Sequence, residues 1–106
     1  MRIIAIKGLR DFWEDRRYRD SEQALKSWYR EFSKADYSNF HEIRQKFGSA
    51  DQIGDKRVVF NIAGNKYRLI VTVVYLIKTI YIKFVGTHAQ YDAIDVKTVN
   101  MFGGKK

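Results

Sequence analysis

The chain has 106 residues, 45% hydrophobic and 15% aromatic, which suits one domain (1–106) with a modest core and excludes a disordered tail. It has no cysteine, so disulfides and thiolate metal sites are excluded, and a reducing compartment is compatible. Lysine and arginine number 20 against 12 aspartates and glutamates, a net charge of +8 that favours an anionic partner: nucleic acid, a membrane surface or an acidic protein.

The opening "MRIIAIKGLR" holds an apolar run too short for a signal-peptide core, with "RIIAI" (Arg2–Ile6) reading as a short strand. "LRDFWEDRRYR" then reads as helical. "SEQALKSWYREFSKA" follows as a second helix, with Asp20 or Ser21 as N-cap and Leu25, Trp28, Tyr29 and Phe32 at helical spacing. A third, short helix is expected in "NFHEIRQKF", where Asn39 stands three residues before Glu42 in a capping-box arrangement and Gly48 serves as C-cap. The second half changes character. "KRVVFNIA", "KYRLIVTVVYLI" and "TIYIKFVG" are rich in β-branched and aromatic residues. The longest apolar stretch, "LIVTVVYLI", is too short to cross a bilayer as a helix, so a soluble, cytoplasmic protein with no membrane partner is expected. The elements make an α+β domain: an N-terminal strand and two or three helices packed on an antiparallel sheet.

Proline is absent, so glycine, asparagine and charged residues must make the turns. Gly64-Asn65 is a two-residue hairpin turn that sets Ile62 against Tyr67, Asn61 against Arg68 and Phe60 against Leu69. Opposed residues share a face. Val58, Phe60, Ile62, Tyr67, Leu69, Val71 and Val73 then form the core face. Arg57, Val59, Asn61, Lys66, Arg68, Ile70 and Thr72 form the other. A weaker turn at Lys78-Thr79 adds Ile80, Ile82 and Phe84 to the core face and Tyr81, Lys83 and Val85 to the second. It brings Arg68 opposite Ala89, beside His88, and puts Lys83 opposite Val74, roughly 20 Å from Arg68 along the strand. Because Ile70, Val74 and Val85 fall on the second face, that face needs cover, from the C-terminal tail or from a partner.

"VGTHAQYD" ends the last strand with His88 and Tyr91 three residues apart. Together with Arg68, and with Lys66 nearby, they suit cleavage of an RNA phosphodiester by its own 2′-hydroxyl. That reaction needs a base, a proton donor to the leaving oxygen and positive charge on the phosphoryl oxygens. Histidine takes either proton-transfer role near neutral pH. Arginine offers a planar fork matched to phosphate, and tyrosine hydrogen-bonds or stacks on a base. No metal or other cofactor is required, and no ligand pattern for one is visible. The same residues also admit plain structural roles: a histidine capping a turn, solvated Arg68 and Lys66 on a polar face, and Tyr91 packing a short helix onto the sheet.

"VVFNIAGNKYRLIV", followed by "VYLIKTIYIKFVGTHAQYD", resembles the HigB-type branch of the RelE-like toxins, the ribonuclease components of bacterial toxin–antitoxin pairs. The likeness is closest over the second half. It implies a microbial-ribonuclease-like fold and endonucleolytic cleavage of mRNA, often on the translating ribosome. It also implies inhibition by a cognate HigA-like helix-turn-helix antitoxin. The arginine of "YRL" in that family contacts the scissile phosphate and corresponds to Arg68. A basic functional position after "VG" falls on His88, and Tyr91 matches the tyrosine of "TH-x-x-Y". RelE-like toxins carry lysines on the first hairpin strand where this chain has Val59 and Asn61, which leaves Lys56, Arg57 or Lys66 as candidate RNA-binding substitutes, with Asn61 beside them. Gln90 stands where relatives often have an acid. Two other readings compete with the nuclease: a non-catalytic RNA- or ribosome-binding domain on the same basic face, and a protein-interaction module using its apolar residues.

Overall fold

The computed structural model describes residues 1–54 and 56–102. Its elements run β1 (Arg2–Ile4), α1 (Ile6–Glu14), a 3-10 turn (Arg16–Ser21), α2 (Glu22–Lys34), α3 (Phe40–Lys46), β2 (Asp51–Ile53), β3 (Arg57–Ile62), β4 (Tyr67–Val74), a second 3-10 turn (Tyr75–Ile77), β5 (Thr79–Thr87) and α4 (His88–Asp92). The strands form one sheet in the order β1-β5-β4-β3-β2. The fold is α+β as expected, but the sheet is mixed, because β1 lies parallel to β5. β2, three residues of "DQI", was not anticipated and pairs antiparallel with the start of β3. No helix among the described residues is long and apolar enough to cross a membrane.

Helix α1 starts earlier than the sequence suggests, because β5 pairs only with residues 2–4 and the stripe Gly8, Leu9, Phe12 and Trp13 already turns toward the core. It stops at Asp15, whose carboxylate accepts from the Arg17 amide at 2.9 Å and starts the 3-10 turn. The Arg17 hydrogen bond holds that carboxyl at about 2. Neither expected side-chain cap of α2 forms. The Ser21 hydroxyl donates back to the Tyr18 carbonyl at 2.7 Å, and the Asp20 carboxylate takes the Lys66 ammonium and the Tyr67 hydroxyl instead. Only half of the Asn39 box forms: Asn39 accepts from the Glu42 amide at 3.0 Å, but Glu42 reaches past the N-cap and accepts from the Ser38 amide. α3 is capped by Phe47, one residue before Gly48, where the Phe47 ring turns in to stack on Phe32 at 5.2 Å and meet Phe60 at 5.3 Å.

The β3–β4 register is the expected one, with Asn61 opposite Arg68 and Ile62 opposite Tyr67. The turn itself differs: Ala63 and Gly64 carry the positive φ angles, 54° and 68°, and the Lys66 amide donates to the Ala63 carbonyl at 3.3 Å.

The β4–β5 register departs from expectation. β4 ends at Val74, opposite Thr79, and residues 75–78 make the connection, so the turn is four residues long rather than two. Its exposed tip is apolar: Leu76 is 94% accessible. The ladder is therefore displaced by four residues, an even number, and Ile80 and Ile82 stay on the core face, opposite Val73 and Val71. A bulge at Lys83 then inverts the remainder. Phe84 comes opposite Ile70 on the second face, and Val85 comes opposite Leu69 in the core; the sequence reading had these two exchanged. Lys83 lies at the bulge, not opposite Val74, and Arg68 faces Gly86, not Ala89.

The larger core lies between the helices and one sheet face, with Leu25, Trp28, Phe32, Phe60, Leu69 and Ile80 among its buried members. On the other face Val59, Ile70 and Phe84 are covered by Tyr91, Ile94, Val96 and Val99, so the chain's own C-terminal segment supplies the expected cover.

Candidate active site

Arg68 opens the site from the middle of the sheet. Only 9% exposed, it donates to the Asn65 carbonyl at 3.1 Å, the Asn65 side-chain oxygen at 2.9 Å and the Tyr67 carbonyl at 3.3 Å. The hairpin turn thus holds the guanidinium fork in one orientation. Its carbon lies 5.7 Å from the centre of the Tyr91 ring, within cation–π range.

His88 is the first residue of α4 and is half exposed. The helix is anchored by a reciprocal cap: Thr87 Oγ1 accepts from the Gln90 amide at 3.1 Å, and Gln90 Oε1 accepts from the Thr87 amide at 2.9 Å. Gln90 Nε2 also donates to the Tyr18 hydroxyl at 3.2 Å, which ties α4 to the helical layer. Gln90 therefore has a structural task that glutamine performs as well as an acid. The His88 amide donates to the Lys66 carbonyl at 3.3 Å, and the His88 ring stands 6.4 Å from that of Tyr91. Asp92, which the sequence reading passed over, lies one helical turn on with Oδ2 3.1 Å from His88 Nδ1. Its signal was the i,i+4 spacing in "HAQYD". A carboxylate there favours the tautomer with the proton on Nδ1 and leaves Nε2 as an acceptor.

Arg68, His88 and Tyr91 thus meet at one end of the sheet, with Asn61 opposite Arg68. Lys66 is close in chain but is drawn toward Asp20 on the helical side. Its bond holds the Asp20 carboxyl below the usual carboxylate range. Burial, with the same carboxylate, pushes the Tyr67 phenol up to about 12. Lys56 and Arg57 do not join this group. Arg57 begins β3 and Lys56 precedes it, four and five residues from Asn61, or roughly 13–17 Å along the strand. Lys56 is exposed, and Arg57 donates to the Val96 carbonyl at 3.0 Å beneath the C-terminal segment. Lys83 is buried below the same segment with Asn100 Oδ1 at 3.4 Å, and its amine is lowered by burial and by Arg57. It is three residues from Gly86, or roughly 10 Å, half the separation first expected. Gly86 leaves room for both neighbours: a Cβ there would stand 2.6 Å from the Phe84 ring and 2.7 Å from Gln90 Oε1, so one of them would have to shift.

An α+β chain with an N-terminal strand, helices on one face and a five-stranded mixed sheet is consistent with a RelE-like fold. Residues 21–94 match the model of the HigB toxin family, the RelE-like toxic component of a toxin–antitoxin system, and the chain belongs to that family. It is 31% identical over 74% of its length to an mRNA interferase HigB of Escherichia coli O6:H1, covering 79% of that protein. The mRNA interferase toxin HigB of Escherichia coli K12 and the mRNA interferase HigB of Shigella flexneri are each 30% identical over 87% of this chain and 88% of their own.

Proposed function

We propose that this toxin is an endoribonuclease that cleaves mRNA on the translating ribosome, in the cytoplasm, and is held inactive by a HigA-like helix-turn-helix antitoxin. The observation that carries the reading is the meeting of Arg68 and His88 across Tyr91. Arg68 places its charge against the non-bridging oxygens of the scissile phosphate. Three of its N–H groups are used by Asn65 and Tyr67, which leaves two for an anion. The 2′-oxygen loses its proton to a base and bonds to phosphorus. The bond from phosphorus to the 5′-oxygen breaks, and that oxygen takes a proton. The products are a 2′,3′-cyclic phosphate and a 5′-hydroxyl. His88 supplies one of the two proton transfers through Nε2, while Asp92 fixes the ring. Tyr91 orients the RNA by hydrogen bonding or stacking. Asn61 and Lys66 contact the RNA beside the site, and Lys56 and Arg57 bind it only peripherally.

The test is cleavage of a translated message by the parent, His88→Ala and Arg68→Ala in a purified translation system, with product ends mapped. Folded variants that cut like the parent would remove the site. A parent that binds ribosomes but leaves the message intact would favour a non-catalytic binding domain.

A further inference from the structure

A groove of about 550 Å³ lies between α2 and the β3–β4 hairpin, and His88 does not line it. Arg30, Lys34 and Lys46 line it against a single acid, Glu31, which pairs with Lys46 at 3.6 Å. Among the described residues no carboxylate pairs with Arg30 or Lys34; Arg30 only donates to the Ser27 hydroxyl at 3.3 Å. All three cations are exposed. The opposite wall is Asn61, Ile62 and Ala63. β2 covers only Arg57–Val59, so among the described residues this stretch of β3 has no strand on its outer edge. At the base lies Trp28, 2% exposed, whose indole N–H has no acceptor among the described residues. A buried donor left unmet is costly.

We propose that this groove is a second RNA subsite, taking the nucleotides that flank the scissile phosphate on one side. The inference rests on the nuclease reading above. Charge complementarity favours a phosphate chain over an apolar or basic segment. Position favours RNA over an acidic stretch of the antitoxin. Asn61 lies on the groove wall and also directly across the sheet from Arg68, at a Cα spacing of about 5 Å for opposed antiparallel residues. A single strand crossing the open edge of β3 at Asn61 would lead from Arg68 into the groove that Arg30 and Lys34 line. Ser27 and Asn61 offer hydrogen bonds, and Trp28 offers a donor already stripped of water.

The probes are a 2′-O-methylated trinucleotide and a nonanucleotide with the same central step, both uncleavable. The parent is expected to bind the longer RNA about tenfold more tightly at low salt. Arg30→Ala/Lys34→Ala should reduce that gain to under about threefold while leaving trinucleotide affinity unchanged. The Trp28 indole N–H resonance should move with the nonanucleotide and not with the trinucleotide, and Trp28→Phe, which keeps the ring and removes the donor, should weaken only the longer RNA. A length gain retained in the double variant, or an unmoved indole resonance, overturns the subsite. So does a double variant that binds both RNAs normally but loses the antitoxin, which would give the groove to that partner. Failure of the nuclease reading is read separately: Arg68→Ala should weaken both lengths, and ribosomal cleavage is scored apart from either.

Discussion

Arg68 is held in one orientation by its own hairpin, because the loop that turns the chain also accepts from its guanidinium. Lysine has the charge but not the fork. Arg68→Lys is expected to lose about 2.7–4 kcal/mol of transition-state stabilisation, roughly 10²–10³ in single-turnover cleavage, with its melting curve little changed. A lysine variant that cleaves within a fewfold of the parent would show that charge alone suffices. Lys83 is the opposite case, a cation under cover. Its amine is lowered, so between its folded value and the ordinary 10.5 the unfolded chain binds more protons than the folded one. Stability then rises with pH through that window, and the penalty is full below it. Lys83→Met has no such titration. The advantage of the methionine variant should be greatest at neutral pH and shrink as urea midpoints are followed toward pH 10; a constant difference would contradict the burial. The Arg68–Asn61 pair was legible from the sequence because one glycine-bearing turn set it. Asp92 was missed because a carboxylate on a short helix has many plainer uses.

At the scale of elements, legibility followed the strength of the turn signals. Gly64-Asn65 interrupts two alternating runs, and the register beyond it came out as expected. "VVYLIKTI" has no glycine, asparagine or proline, so nothing marks where β4 stops, and Leu76 and Ile77 look like strand while standing in solvent. The four-residue error kept the faces only because it was even. The bulge carries no residue signature at all, and neither does the parallel placement of β1, which depends on where the helices return the chain. The hairpin offers a direct comparison, since Ala63 and Gly64 both hold left-handed φ. Gly64→Ala should cost about 1–2 kcal/mol in urea unfolding, although nothing lies within 4 Å of the added carbon. Ala63→Gly should be neutral or stabilising, because the native strain at that position offsets the entropy a glycine adds to the unfolded chain. Equal losses at both positions would mean that packing, not backbone preference, holds the turn.

Over the whole molecule the charge is unevenly divided. Residues 56–106 carry nine of the 20 lysines and arginines but only two of the 12 acids. Most of the surplus positive charge therefore lies in the half of the chain that holds β3, β4 and β5, and association with RNA should weaken as salt rises. Lys66→Ala should flatten the dependence of log affinity on log salt by about 0.7 if Lys66 neutralises one phosphate of a single strand. An unchanged slope would mean that Asp20 keeps that ammonium to itself. As the toxic member of a toxin–antitoxin pair, the protein also meets an antitoxin, and the same surplus positive surface is where an acidic segment would settle. RNA and antitoxin should then compete. Equal affinity for an uncleavable RNA with and without saturating antitoxin would place the inhibitor elsewhere.

The bulge at Lys83 leaves one residue of slack in β5. Loss of a residue between Lys83 and Val85 can be absorbed by straightening the strand, after which Gly86 still stands opposite Arg68. Gain of a residue cannot. An alanine inserted between Phe84 and Val85 moves Val85 opposite Arg68, where even a Cβ collides with the Phe84 ring and with the Gln90 oxygen that anchors α4. The two ends of the proposed site are thus joined by a strand expected to tolerate shortening but not lengthening. Deletion of Lys83 should therefore cost stability yet leave mRNA cleavage within about tenfold of the parent, and the insertion should abolish cleavage even where the protein folds. An insertion variant as active as the parent would show that α4 finds Arg68 by some route other than the register of β5.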